Sequence, residues 1–321
     1  MRVDIQEKIC LSELLSGAQS AAITGHLHPD GDCVGSCLGL QSALNHLFPD
    51  LQTDVCLEPI PDTFGFLEGA DRILTEPSEK AYDVVFCLDC NTPARLGKHA
   101  VLLEKAGKTV CIDHHIAGEP FADIDYIEST ASSASELVCL LIGTDDLPKA
   151  ACEALYMGIA HDTGVFQYSC TSSRTMRIAG ELMDKGIDYP RIITKTYYEK
   201  TYYQKQIMGR ALLECVRMLD GQVVFSAIRK KEMDFFRVTG ADLDGIVSEL
   251  RTIKGVEVAI FLYEIMPSVY KVSLRSSGKV NVNQVASFFG GGGHILASGC
   301  EMQGSTHDVI NNLTERIAMQ L

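Results

Sequence analysis

"HLHPDGDCVGS" (His26–Ser36) sets two imidazoles and two carboxylates within seven residues, directly after the apolar run "AAIT". A strand that empties into a polar turn and then a helix is the βα corner of an open sheet. Such sheets carry their sites at the carboxyl ends of the strands. Taken alone the stretch reads equally well as a solvated turn with an Asp capping the next helix. Ligands elsewhere in the chain decide between the two.

Working outward, "SAAITGHL" reads as a strand, and "CVGSCLGLQSALNHLF" spaces Val34, Cys37, Leu38, Ala43, Leu44 and Leu47 as a helix does. Gly31 and Gly35 are expected to let the backbone turn tightly between the two. "TDVCLE", "YDVVFCLD" and "KTVCIDHH" are further strands, with "ARLGKHAVLLEKAG" a helix ended by Gly107. "SASELVCLLIG" and "PKAACEALYMGIAHD" follow as consecutive helices. Unbroken apolar strands alternating with helices indicate an α/β domain whose parallel sheet is covered on both faces. This first domain is expected over residues 1–188. The Tyr- and Lys-rich stretch from Tyr189 reads as a helical connector over 189–220. "GQVVFSAIRKK", "VEVAIFLYEIM" and "VYKVSLRSSG" are strands of a smaller α/β domain over 221–321.

The balance of 42 acidic against 28 basic residues, a net charge of -14, excludes the broad basic track that long duplex nucleic acid requires. No run approaches the roughly 20 apolar residues of a membrane helix. "MRVDIQEKICLSELL" carries acids where a signal peptide has its apolar core. A cytoplasmic protein with no membrane partner is expected. The 12 cysteines are scattered, and Cys87 and Cys90 form a CxxC without a second pair or nearby histidines. These two, with Cys33 and Cys37, are read as reduced packing residues.

Four segment ends carry metal-ligand chemistry: His26, His28, Asp30 and Asp32; Asp89 in "VVFCLDC"; Asp113, His114 and His115 in "VCIDHH"; and His161 with Asp162 in "GIAHDTG". Each piece alone is a cap, a turn or a hydrogen-bonded histidine. Together they form a constellation of imidazole and carboxylate, which suits Mn²⁺, Mg²⁺ or Fe²⁺ better than thiolate-bound zinc. More than four ligands suggest two ions sharing one Asp. Separately, "SFFGGGGHILASG" (Ser287–Gly299) lies between two helix-like segments without the Ser or Thr padding of a linker. Glycines leading into a helix present N–H groups to an anion. Gly291, Gly292, Gly293 and His294 are therefore read as a phosphate site. Arg275 and Ser276 of "VSLRSSG" are expected beside it, the Arg gripping phosphate with its fork. Arg174 and Arg177 read as a solvated helix face, and Arg229–Lys231 as surface charge.

"HLHPDGDCVGS", "FCLDC", "IDHH" and "AHDTGVF" resemble, in order and spacing, the four signature motifs of the DHH phosphoesterase superfamily. "LRSSGKVNVNQVASFFGGGGHILASG" resembles its C-terminal DHH-associated domain. The resemblance implies two Mn²⁺ ions, with Mg²⁺ or another divalent ion as a substitute. One would be held by His26, Asp30 and Asp89, the other by Asp32, Asp89, His114 and Asp162. It places His115 beside the scissile phosphate and Asp113 behind the ligands, and leaves out His28 and His161. Ser36 is assigned to packing. The implied activity is that of nanoRNase / 3′-phosphoadenosine-5′-phosphate phosphatases: cleavage of short RNA oligonucleotides to mononucleotides and of phosphoadenosine phosphate to AMP. A cyclic-di-AMP or linear diadenylate phosphodiesterase is the alternative. A sensor that had lost catalysis would show a broken ligand set, and here every ligand position is filled. Short oligonucleotides or adenine nucleotides are the expected partners, and a homodimer is compatible with the family.

Overall fold

A computed structural model describes residues 5–115 and 120–321, and the chain divides into two units, Met1–Glu199 and Lys200–Leu321. In the first, β1 (Ser20–Thr24), β2 (Gln52–Cys56), β3 (Val84–Leu88), β4 (Lys108–Asp113) and β5 (Ile124–Ile127) form one sheet in the order β2-β1-β3-β4-β5. Every neighbouring pair is parallel. All five residues of β3 are buried, as expected of a central strand with both faces covered. The order reverses between β1 and β3, so the chain leaves their carboxyl ends toward opposite faces and opens a crevice there. The segments after β1 and β3 carry His26–Asp32 and Asp89.

Four longer helices belong to this unit: α1 (Gly31–Leu47), α2 (Ala134–Ile142), α3 (Lys149–Asp162) and α4 (Ser173–Asp184). Gly31, Gly35 and Gly39, four residues apart, share one face of α1, and that face lies against α3. A Cβ on Gly35 would stand 2.5 Å from the Ala154 carbonyl oxygen, and one on Gly39 would stand 2.5 Å from Leu155 Cγ. A Cβ on Gly31 would land on the His161 ring. The expected tight-turn role of Gly31 and Gly35 is thus corrected: both are helical, and they let two helices approach closely.

Other local readings also change. The expected helix over 94–107 is a run of 3₁₀ turns (Pro93–Ala100) and a short helix (Val101–Glu104). Gly97 breaks it with a left-handed backbone (φ 56°), packed so tightly on Leu27 that a Cβ would collide with that side chain. β5 went unread because four residues with one apolar face give little periodicity. The stretch from Tyr189 is not one continuous helix. A short helix (Tyr189–Ile193) and a π-turn (Thr194–Tyr198) close the first unit, and α5 (Tyr202–Leu213) opens the second.

The second unit is a six-stranded sheet of β6 (Val216–Met218), β7 (Val223–Ile228), β8 (Val258–Met266), β9 (Val269–Ser276), β10 (Gly292–His294) and β11 (Ala297–Gln303), in the order β10-β11-β9-β8-β7-β6. Only β7 and β8 run parallel. Along β8, Val258, Ile260 and Leu262 pack with α6 (Val282–Phe288) and α7 (Thr306–Ala318), while Ala259 and Phe261 pack on α5. Period-two alternation with both sets apolar is the pattern of a doubly covered strand. Cys33, Cys37, Cys87 and Cys90 are buried in the cores of the first unit. No helix among the described residues is long and apolar enough to cross a membrane.

The glycine spacing of α1 leads to a stability test. Gly35→Ala should lower the unfolding free energy by roughly 1–3 kcal/mol through overpacking against a backbone carbonyl. Gly180→Ala in α4, where a Cβ meets nothing within 4 Å, should raise it by roughly 0.5–1 kcal/mol. Denaturant titration reads both, and equal effects would contradict the close-packing role.

Candidate metal centre

Each element end contributes one part of the centre for a local reason. Asp30 is the N-cap of α1, its Oδ1 accepting the N–H groups of Asp32 and Cys33, both at 3.1 Å. Asp32, in the first turn, is fully buried, and its two oxygens accept the Ala134 and Ser135 N–H groups at 2.6 and 2.9 Å. Those donors are the first two of α2, so Asp32 sits at the positive end of that helix. Asp162 ends α3, where the dipole disfavours a carboxylate. Asp89 follows β3 with a left-handed backbone (φ 54°), a conformation Asp tolerates better than most side chains. His114 and His115 follow β4.

These ends meet. His26 Nε2 lies 3.2 Å from Asp89 Oδ2 and 3.6 Å from Asp30 Oδ1. His114 Nε2 lies 3.1 Å from Asp162 Oδ2, 3.3 Å from Asp89 Oδ1 and 3.9 Å from Asp32 Oδ2. His26, Asp30 and Asp89 thus form one group able to hold a metal ion, Asp32, His114 and Asp162 a second, and Asp89, Asp113, His114 and His115 a third that overlaps both. Asp89 faces both. His26 Nδ1 lies 2.7 Å from the Leu27 carbonyl oxygen. The carbonyl can only accept, so the proton sits on Nδ1 and Nε2 is turned to the carboxylates.

Four carboxylates here face two imidazoles, and His26, His114, Asp32, Asp89 and Asp162 are displaced by one another and by burial. Burial works against charging His26, but hydrogen bonds to Asp30 and Asp89 outweigh it and carry the imidazole up to about 11. His114 goes up to about 12, burial again being overcome by Asp162 and Asp89. Burial, then the charges of Asp89 and Asp162, push the Asp32 carboxyl well above its ordinary range. Burial also raises Asp162, with His114 pulling down and Asp89 pushing up. Asp89 goes the other way: burial raises its carboxyl, but the adjacent His114 and His26 imidazoles outweigh it and pull it down. Asp89 Oδ1 and His114 Nε2, 3.3 Å apart, are among the buried side-chain atoms of the described residues whose contacts fall outside hydrogen-bond geometry. Surplus negative charge, unsatisfied lone pairs and an oxygen–nitrogen donor set fit a hard or borderline divalent cation.

Asp113 lies behind this cluster, buried at the end of β4. Its Oδ1 accepts the His114 N–H and meets His115 Nδ1, both at 2.8 Å. His115 Nδ1 is 3.6 Å from Asp89 Oδ1, so the pair borders the ligand groups. His28 is turned outward, 94% exposed at its side chain and 3.8 Å from Glu58. His161 stacks edge-on to Phe64 and Tyr197, and Ser36 bonds the Cys33 carbonyl.

In the second unit Arg275 pairs in register with Ala297, and His294 pairs with the same residue across the β10–β11 hairpin. Arg275 and the glycine run therefore share one end of the sheet. The expected helix after the run is corrected: "HILASG" is a turn and the start of β11. The run itself closes α6, with Gly290 left-handed (φ 79°) and bonds from Gly290 N–H to Ser287 O and Gly291 N–H to Ala286 O, a Schellman ending. A Cβ on Gly291 would overlap the Gly299 carbonyl, so hairpin packing also requires glycine there. Gly292 and His294 are exposed at the rim. Ser276 is corrected too. It is buried, and its hydroxyl donates to Glu257 Oε1 at 2.9 Å, holding the 276–280 turn.

Two acids that the sequence reading passed over support the centre from outside. Glu136 is fully buried and Glu128 nearly so, and both bond Arg174. Arg174 is thus not on a solvated face. The signal was available in Ser133-x-x-Glu136, the pattern of a helix start, but nothing local reveals its partner 38 residues on. A proton-linked test follows from the raised imidazoles. A cation binding at Nε2 must displace their protons, so affinity should climb with pH until the histidines deprotonate near about 11 and 12. Near neutral pH on the order of two protons should be released per filled centre. Calorimetry in buffers of unlike ionisation enthalpy measures that number, and binding without proton release would show that both imidazoles are already neutral before the ion arrives.

The family model described as the DHH family, N-terminal domain, matches residues 20–159, and that of the DHHA1 domain matches residues 220–321. The chain is 28% identical to a Bacillus subtilis (strain 168) protein named bifunctional oligoribonuclease and PAP phosphatase NrnA, over 86% of this chain and 87% of the relative. It is 30% identical to a Streptococcus mutans protein named probable bifunctional oligoribonuclease and PAP phosphatase NrnA, over 85% and 86%. A crystal structure of an exopolyphosphatase-related protein from Bacteroides fragilis matches with a TM-score of 0.89 at 30% identity, covering 97% of this chain and 95% of that one. The chain belongs to the DHH family, a DHH domain followed by a DHHA1 domain, and is a hydrolase acting on phosphoester bonds.

Proposed function

We propose that this protein is a two-ion phosphoesterase that cleaves short RNA oligonucleotides to mononucleotides and converts 3′-phosphoadenosine 5′-phosphate to AMP. The observation that carries the reading is the pair of ligand groups, His26–Asp30–Asp89 and Asp32–His114–Asp162, with Asp89 Oδ1 only 3.3 Å from His114 Nε2. In this reading His26, Asp30 and Asp89 hold one Mn²⁺, and Asp32, Asp89, His114 and Asp162 hold the other. Divalent ions so bound make water nucleophilic near neutral pH and neutralise phosphoryl oxygens.

The chain's own groups do the rest. Asp113 fixes His115 through Nδ1, so Nε2 is the atom turned to the phosphoryl group, and in its imidazolium form it donates the Nε2 proton to the leaving oxygen and is left as the Nδ1–H imidazole. Arg275 and His294, beside the exposed rim of the Gly291–Gly293 run, hold a second phosphate of the substrate in the DHHA1 domain. The names of the two bacterial relatives support a short RNA and phosphoadenosine phosphate as substrates, and the net charge of -14 disfavours long polymers.

Activity should appear on adding Mn²⁺ to chelator-treated protein. Comparing kcat/KM on an RNA dimer, phosphoadenosine phosphate and linear diadenylate ranks the substrates, and no turnover of any of them would overturn the proposal. Asp89→Ala should reduce kcat by more than the roughly 100-fold that loss of an outer partner costs. Arg275→Ala should raise KM by roughly tenfold or more with kcat little changed, the mark of lost binding to substrate and transition state alike. Unchanged KM in both Arg275→Ala and His294→Ala would exclude the phosphate role of that rim.

A further inference from the structure

Asp32 is oriented by where α2 begins. Both of its oxygens bond the first two N–H groups of that helix, so a shift of the helix start moves the carboxylate with it. Ser133 Oγ caps the next N–H, that of Glu136, at 3.0 Å. The Glu136 carboxylate then ties the approach to the helix. Its Oε2 accepts the Ser132 and Thr175 hydroxyls, and its Oε1 accepts Arg174 Nε at 2.6 Å.

The same guanidinium reaches the other end of the segment. Arg174 Nη1 donates to Glu128 Oε1 at 2.9 Å, and Glu128 N–H donates to the Asp113 carbonyl, also at 2.9 Å. Asp113 immediately precedes His114. One planar fork therefore brackets residues 128–136 between the β4 end that bears His114 and the helix start that clamps Asp32. Tyr126 and Thr130 hydroxyls complete Glu128 at 2.9 and 3.1 Å. Glu136 and Glu128 are almost wholly withdrawn from water, and Arg174 pairs with both. Without it, the two buried carboxylates would lose the cation that joins them, and the segment between them would be less firmly held.

We propose that Arg174 is a positioning residue for one half of the metal centre: through Glu136 and Glu128 it sets Asp32 and His114, and so governs the ion held by Asp32, His114 and Asp162. The inference rests on the two-ion reading above. A lysine cannot replace it, because a single ammonium lacks the fork that spans both glutamates.

The test is metal binding by the full chain, independent of turnover. Mn²⁺ is titrated into chelator-treated wild type, Arg174→Lys and Arg174→Gln, followed by calorimetry and electron paramagnetic resonance, with circular dichroism to establish folding. Wild type should take up two ions with the spectrum of a coupled pair. Arg174→Lys should retain one ion near wild-type affinity and lose roughly 10–100-fold at the other, the range for loss of an outer partner, giving a single-ion spectrum at intermediate Mn²⁺. Arg174→Gln should show the same split more strongly. Where the Gln variant is unfolded, the charge-retaining Lys variant decides. Two ions bound by folded Arg174→Lys as tightly as by wild type would overturn the inference, as would an equal loss at both sites. Failure of wild type to bind a pair of ions would instead overturn the two-ion reading itself.

Discussion

Asp30, Asp32, Asp89 and Asp162 are held within a few ångströms of one another against their mutual repulsion, and the surrounding structure is organised to keep them there. Two of them are lifted out of the ordinary carboxylate range by burial and by their neighbours. Compensation from within the chain comes from His26 and His114, which hold protons far above the usual imidazole range. A group of like charges is not a stable place for a fold to converge on its own. A divalent cation changes that balance, because it replaces protons and repulsion with shared coordination.

Three devices resist the repulsion, each built from backbone. The reversal of strand order between β1 and β3 brings two ligand-bearing ends to one crevice. The glycine face of α1 lets α3 lie close enough for Asp162 to reach the cluster from the far end of its helix. The start of α2 offers two N–H donors to Asp32. The Arg174 bracket stabilises that last device. These parts come from segments 130 residues apart in sequence, and each works only if the others are in place.

Much of this was legible in residue order. Strand ends marked by His26, Asp89 and His114 stood out because an unbroken apolar run must stop where a charged side chain begins. The parallel sheet followed from the alternation of such runs with helical spacing. Illegible were features whose cause lies outside the local window. Gly31 and Gly35 looked like turn residues, since a sequence does not show that another helix will lie against them. "HILASG" looked helical by spacing, but the glycines before it pair with their own hairpin partner. Ser276 looked like a ligand for phosphate, and a buried Glu257 claimed its hydroxyl.

The sequence by itself determined which chemical groups are available and at which element ends, because ligand identity and strand periodicity are both written residue by residue. It therefore carried the family, the α/β class and the members of the candidate ligand set. Only the tertiary structure decided how those groups are held: which nitrogen of His26 is turned inward, that α2 clamps Asp32, and that Arg174 bridges two buried glutamates. The reason is physical. Hydrogen-bond direction, burial and charge compensation are properties of groups brought together by folding, and none of them exists in the chain before its distant segments meet.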